Sequence, residues 1–152
     1  MAVFEHETEF ACSAEGLFDF LSRPGNIARL GDPQVGIRFV SAPETISAGS
    51  KLEFEIVSFG QKIRATHEII QFERPRLVVE KQLSGPMKSW RHEHEYVPTA
   101  AGSVKRDRVD FQLPGGLLGF LLSDEKIINH LEDGFYFRQQ QINKLIEQGQ
   151  IQ

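Results

Sequence analysis

Residues 3 to 12 alternate, with Phe4, His6, Thr8 and Phe10 on one side and Glu5, Glu7 and Glu9 on the other. A period of two with one acidic side predicts a half-buried strand. Ser13 can N-cap a short helix in which Leu17, Phe18 and Leu21 share a face, ending near Ser22. Pro24 can open a second short helix through Leu30, which the Gly31-Asp32-Pro33 cluster ends. From about 36 to 112 the period of two returns, interrupted only by turn residues, and predicts six strands over 36–40, 51–59, 61–72, 76–83, 88–97 and 103–113. Short separators make antiparallel neighbours, so the economical topology is a seven-stranded meander. Pro114-Gly115-Gly116 ends the sheet, and 117–122 reads as a short helical turn. Ser123, followed by Asp124 and Glu125, then caps a helix to about 147 whose apolar stripe holds Leu121, Ile128, Leu131, Phe135, Ile142 and Leu145. A curved antiparallel sheet must bury that stripe on its concave face, with the two short helices closing the other end. This is an α+β architecture.

The 152 residues suffice for one domain spanning 1–152, with a core that needs neither disulfide nor metal for stability. Seventeen Lys and Arg against 21 Asp and Glu are mixed along the chain. That balance argues against a nucleic-acid partner, which calls for concentrated basic charge. No stretch approaches the ~18 apolar residues of a membrane span. The charged N-terminal run does not read as a signal peptide, and the lone Cys12 points to a reducing, cytoplasmic setting.

More specific is a string of motifs in the second half of the chain. Gly85-Pro86-Met87 leads to Trp90-Arg91-His92-Glu93-His94, then to Asp107-Arg108-Val109, Leu113-Pro114-Gly115 and Phe135-Tyr136-Phe137-Arg138. With the order strand, two short helices, six strands and long helix, the chain resembles the helix-grip fold of the START-related SRPBCC superfamily. Its motifs look like the bacterial ligand-binding, polyketide cyclase/dehydrase-like branch, with Met87 where a Phe is usual. The resemblance covers nearly the whole chain. It implies a deep cavity between sheet and helix for an apolar, aromatic or lipid-like small molecule, with no metal and no cofactor.

The residues themselves say what such a cavity contains. Trp90, His92, His94 and Tyr96 share one side of a strand, whereas Arg91, Glu93 and Glu95 share the other, which must be the wet side. If residues 99 to 102 close a four-residue hairpin, His94 faces Asp107, His92 faces Val109, Trp90 faces Phe111 and Tyr96 faces Lys105. A carboxylate so placed can hold an imidazole tautomer or shift its pKa. Arg138 falls within the apolar stripe and needs a partner there, either Asp107 or a ligand carboxylate. His67 also points inward. His6 reads as a core histidine, and Glu80 stays undecided because the parity of its strand is ambiguous.

Three function classes follow. The leading one is a binding module for a small hydrophobic ligand with a polar or acidic end, contacted by Trp90, His92, His94, Tyr96, Asp107, Val109, Phe111, Phe135 and Arg138. The second is a cyclase or dehydratase, in which His92 or His94 moves a proton, Asp107 orients it and Arg138 stabilises an enolate oxygen. The third is a protein-interaction or chaperone-like helper using the outer face or edge of the sheet. Metal ligation by His67, His92, His94 and Asp107 is an alternative use of the same cluster, which no other motif supports.

Overall fold

The computed structural model describes residues 1–32, 36–58 and 60–152. Pro33, expected to help end the second helix, and Phe59, expected in a strand, lie outside them. The chain runs β1 (Ala2–Phe10), α1 (Ala14–Leu21), α2 (Pro24–Leu30), β2 (Gly36–Ser41), β3 (Lys51–Ser58), β4 (Gln61–Glu73), β5 (Leu77–Ser84), β6 (Ser89–Thr99), β7 (Gly102–Gln112), α3 (Gly116–Leu121) and α4 (Asp124–Glu147). Ser13 Oγ accepts from Gly16 N at 2.9 Å and Ser123 Oγ from Lys126 N at 3.1 Å, so both expected caps close their helices.

The sheet order is β1-β7-β6-β5-β4-β3-β2, antiparallel throughout. Only β2 to β7 form the expected meander. The first strand joins β7 at the far edge, because α1 and α2 carry the chain across the end of the sheet before β2 begins. Strands β6 and β7 pair in the expected register, with His94 opposite Asp107, His92 opposite Val109, Trp90 opposite Phe111 and Tyr96 opposite Lys105. A register irregularity between Ile69 and Gln71 on β4 shifts the pairing with β5. It lets Ile69 and Phe72 both join the core, and it sets Val78, Glu80 and Gln82 on the same side as His92.

Two apolar clusters result. One gathers Leu17, Phe18, Leu30, Phe54, Ile69, Tyr96 and Ile142, with Phe18 edge-on to Phe72 at 5.2 Å and to Tyr96 at 5.0 Å. The other gathers Phe4, Val109, Phe111 and Ile127, with Trp90, Leu131 and Phe135 packed against it. Leu121, expected on the long helix stripe, belongs instead to α3 and is exposed together with Leu117, Leu118 and Phe120. The break comes at Leu122, whose extended backbone separates the two helices.

The outer face of the sheet carries ion pairs such as Arg108 to Glu5 and Asp110, Arg106 to Glu7, and Arg64 to Glu53. Pairs this exposed are screened by water and salt and contribute little to stability. They keep that face wet and leave the concave face to form the core. No helix among the described residues is long and apolar enough to cross a membrane.

At the β6–β7 hairpin, Gly102 has φ +147°, and a Cβ there would lie 2.3 Å from the Phe10 carbonyl oxygen. Gly134 on α4 has nothing within 4 Å of such an atom. Gly102→Ala should therefore cost about 2 kcal/mol or more in urea unfolding, whereas Gly134→Ala should add about 0.5–1 kcal/mol. A neutral effect at Gly102 would show that the hairpin can move away from β1.

Candidate functional site

Between the two apolar clusters the concave face changes character. On β1 the sequence runs Phe4, His6, Thr8, Phe10; on β6, Trp90, His92, His94, Tyr96; on β7, Phe111, Val109, Asp107, Lys105; on α4, Phe135, Arg138, Gln139, Ile142. On β1, β6 and α4 the polar residues lie between residues of one cluster and residues of the other, and on β7 they follow Phe111 and Val109 of the second cluster. Adjacent strands in register line these positions up into a belt, which β4 and β5 extend with His67 and Glu80.

Two carboxylates organise it. Asp107 is buried, and Oδ1 accepts from Lys105 Nζ and lies 2.8 Å from His92 Nε2 and 3.3 Å from His94 Nδ1. Glu80 Oε1 lies 2.8 Å from His94 Nε2 and 3.5 Å from His92 Nδ1, and Oε2 lies 3.0 Å from His67 Nδ1. His92 and His94 stack at 3.6 Å between ring centroids. Of the two histidines, Asp107 thus lies closer to the diagonal one, His92, than to its direct partner His94.

Burial by itself would raise both carboxyl pKa values, but the neighbours win. For Glu80, hydrogen bonds from His67 and His94 hold the group well below the usual carboxylate range. For Asp107, the Lys105 charge and the hydrogen bonds of His92 and His94 do the same. Burial pushes Lys105 down despite Asp107, and pushes the Tyr96 hydroxyl well above its ordinary value. Burial, with repulsion from His94, takes His92 from 6.5 to about 4 against the pull of Asp107, so the ring is neutral near pH 7. Cys12, which sequence reading makes a small buried residue, has its thiol pushed up by burial and is a weak nucleophile.

Of the two partners expected for Arg138, Asp107 is not one it meets. Lys105, two residues from Asp107 on the same strand, occupies that carboxylate first. Among the described residues the Arg138 guanidinium makes no ion pair. Its Nε is buried without a hydrogen-bond partner, and Cζ sits 5.5 Å from the Phe135 ring centre. It lines a space of about 20 Å³ bounded by β1, β7 and α4, with His6, Thr8, Lys105, Asp107, Phe135 and Gln139 among the walls. That is room for about one water molecule, not the deep cavity expected. Phe135 packs against Phe4 and His6 at 5.4 and 5.2 Å, and Thr8 Oγ1 reaches Gln139 at 3.4 Å, so side chains from sheet and helix fill the interval.

Of the residues singled out from sequence, His92, His94 and Asp107 come together in the belt, and Asp107, Phe135 and Arg138 line the small space. Trp90, Val109 and Phe111 lie in one apolar cluster and Tyr96 in the other. Sequence reading left out Lys105, although the β6–β7 register already set it opposite Tyr96. Glu80 could not be assigned because the irregularity in β4 hides the parity of β5. Ligand atoms of Glu80, His92 and His94 lie within 4.8 Å of one another, so Glu80, not Asp107, completes a potential metal-ligand set.

No family profile matches the chain, and no curated protein does. Solved structures do. A protein from Thermus thermophilus superposes with TM-score 0.76 at 13% identity, covering 97% of this chain and 99% of its own. Ginseng major latex-like protein 151 from Panax ginseng gives 0.71 at 13% identity over 94% and 95%. Ara h 8.0201 gives 0.65 at 16% over 91% and 93%. The fold is the helix-grip fold. At these identities the likeness establishes the architecture of this helix-grip protein and leaves its chemistry to its own residues.

Two consequences can be measured. His92 titrates near 4 when folded and near 6.5 when unfolded, so on acidification the unfolded chain takes up the proton first. Its contribution to stability is complete above about pH 6.5 and is lost progressively towards pH 4. Urea unfolding should give about 2 kcal/mol less stability at pH 5 than at pH 7, and His92→Gln should remove most of that difference. An unchanged pH profile in that variant would show that other groups carry it. Lys105→Met strips the buried Asp107 of its cation and should cost about 3–5 kcal/mol by the same measurement.

Proposed function

We propose that the protein binds a small apolar molecule with an anionic end between the sheet and α4, with Arg138 holding the anion. The observation that carries this reading is the unpaired guanidinium. Lys105, Asp107 and Glu80 each have hydrogen-bond partners in the belt, whereas among the described residues the half-buried Arg138 makes no ion pair and its Nε is buried without a partner beside the small space. A carboxylate on a ligand would supply what Asp107, already engaged by Lys105, does not. Phe135, whose ring centre lies 5.5 Å from the guanidinium, is only partly buried, as are Leu131, Met87 and Trp90, which pack against the same apolar cluster. The ligand body lies there once α4 and the apolar α3 move apart from the sheet, because 20 Å³ is far below the ~300 Å³ of an ordinary ligand site. The likeness to the SRPBCC superfamily supports a ligand in this position, and the buried lone Cys12 fits a cytoplasmic setting.

Proton transfer by His92 or His94 has less support from the geometry. Both rings spend their nitrogens on Glu80, Asp107 and Lys105, and neither borders the space at Arg138.

Fluorescence titration with 8-anilinonaphthalene-1-sulfonate, an apolar anion, tests the reading. The wild-type protein should bind it saturably, and Arg138→Gln should weaken binding about 10-fold or more. The uncharged N-phenyl-1-naphthylamine should bind both proteins alike. Equal binding of the anion by the variant, or no saturable binding to the wild type, would overturn it.

A further inference from the structure

Among the described residues Glu80 is a second charge of the belt that lacks an opposite within 4 Å. Asp107 has Lys105. Glu80 meets only imidazoles, at 2.8 Å from His94, 3.0 Å from His67 and 3.5 Å from His92, and no Lys or Arg lies within 4 Å of it among the described residues. A buried carboxylate with neutral partners and no cation keeps much of its desolvation cost.

The ring nitrogens sharpen the point. His92 lies between two carboxylates, with Nε2 at 2.8 Å from Asp107 and Nδ1 at 3.5 Å from Glu80. A neutral imidazole has one N–H, so in either tautomer one lone pair points at an anion. With the N–H on the closer partner, Asp107, the lone pair of Nδ1 faces Glu80 Oε1. His94 also lies between two carboxylates, with Nε2 at 2.8 Å from Glu80 and Nδ1 at 3.3 Å from Asp107, but Lys105 Nζ stands 3.3 Å from Nδ1 and can donate to its lone pair when Nε2 carries the proton. The interval between His92 Nδ1, Glu80 Oε1 and His94 Nε2 is thus lined by one anion and by nitrogens that can each offer a lone pair. A cation there would satisfy them together.

We propose that Glu80, His92 and His94 bind one first-row divalent metal ion of the zinc or cobalt class, with His67 holding the other carboxylate oxygen of Glu80. Imidazole and carboxylate donors select such ions over magnesium or calcium. An ion with bonds of about 2.0–2.1 Å sets tetrahedral donors about 3.3 Å apart, and the 2.8 and 3.5 Å spacings found here bracket that value. Asp107 stands behind His92 as the outer carboxylate that orients a ligating ring, and Lys105 and Asp107 stand behind the far nitrogen of His94. The two stacked rings, inclined by 23°, cannot both hold an ion in their planes, so binding turns one of them out of the stack. The site does not involve Arg138 and is independent of the anion-binding reading.

Untagged protein, stripped by dialysis against a chelator, would be titrated with Co2+ and followed by visible d–d absorption, with calorimetry for Zn2+. One ion per chain should bind at micromolar Kd or tighter. Glu80→Gln should weaken it about 100-fold and Asp107→Asn about 10-fold or more. No saturable absorption, or unchanged affinity in Glu80→Gln, would overturn the proposal. Should Glu80→Gln not fold, nitrogen-15 spectra of wild-type histidine rings decide. Zn2+ should shift His67, His92 and His94 and leave His6 and His130 in place; shifts confined to His6 or His130, or none, would overturn it.

Discussion

The pairing of β6 with β7, in which His94 stands opposite Asp107, is the constraint on which the rest of the interior depends. A slip of β6 by one residue would send His92 and His94 to the wet face and bring Arg91, Glu93 and Glu95 over the core. Burying those charges is far costlier than any gain from alternative pairing, so the register is held by what it excludes as much as by what it joins. Once it is set, β1 adds His6 and Thr8 at the same level, and α4 lays Arg138 and Gln139 across them.

The belt divides one core into two, and that has an energetic meaning. Phe18, Leu17 and Ile142 on one side, and Phe111, Val109 and Ile127 on the other, supply ordinary apolar burial. The residues between them supply little net stability, since a buried ion pair such as Lys105 with Asp107 roughly repays its desolvation. Val, Ile and Leu at these positions would make an equally good helix-grip core. A chain that carries four histidines, two carboxylates, a lysine and an arginine there holds chemistry in its interior at some expense of stability. The unmatched members, Arg138 and Glu80, are of opposite sign and face different neighbours, which is why they support separate readings: an anion at the helix and a cation at the sheet.

Much of this was legible from the pattern of residues. Alternation placed His6, His67, His92 and His94 inward, and the hairpin at 99 to 102 gave the cross-strand partners through Tyr96 and Lys105. The caps at Ser13 and Ser123 and the stripe on α4 located the helices. Glu80 was not legible, because an irregularity in β4 is a backbone feature with no marked residue to announce it: Ile69, Ile70 and Gln71 are all acceptable in a regular strand. That Asp107 is not the partner of Arg138 was hidden for a different reason. Periodicity tells which face a side chain occupies but not which of two cations reaches a carboxylate first, and Lys105 starts on the same strand as Asp107 whereas Arg138 must reach from another layer.

The amino-acid sequence by itself determined the strands, the helices, the antiparallel register of β6 with β7 and the polarity of each face, because these follow from local spacing and from the cost of burying charge. Only the tertiary structure decided that β1 closes on β7, that α3 leaves its leucines and Phe120 exposed, that side chains fill the interval between sheet and helix to about 20 Å³, and that Glu80 sits among three imidazoles. Those outcomes depend on distances between residues far apart in the chain, which no local pattern encodes.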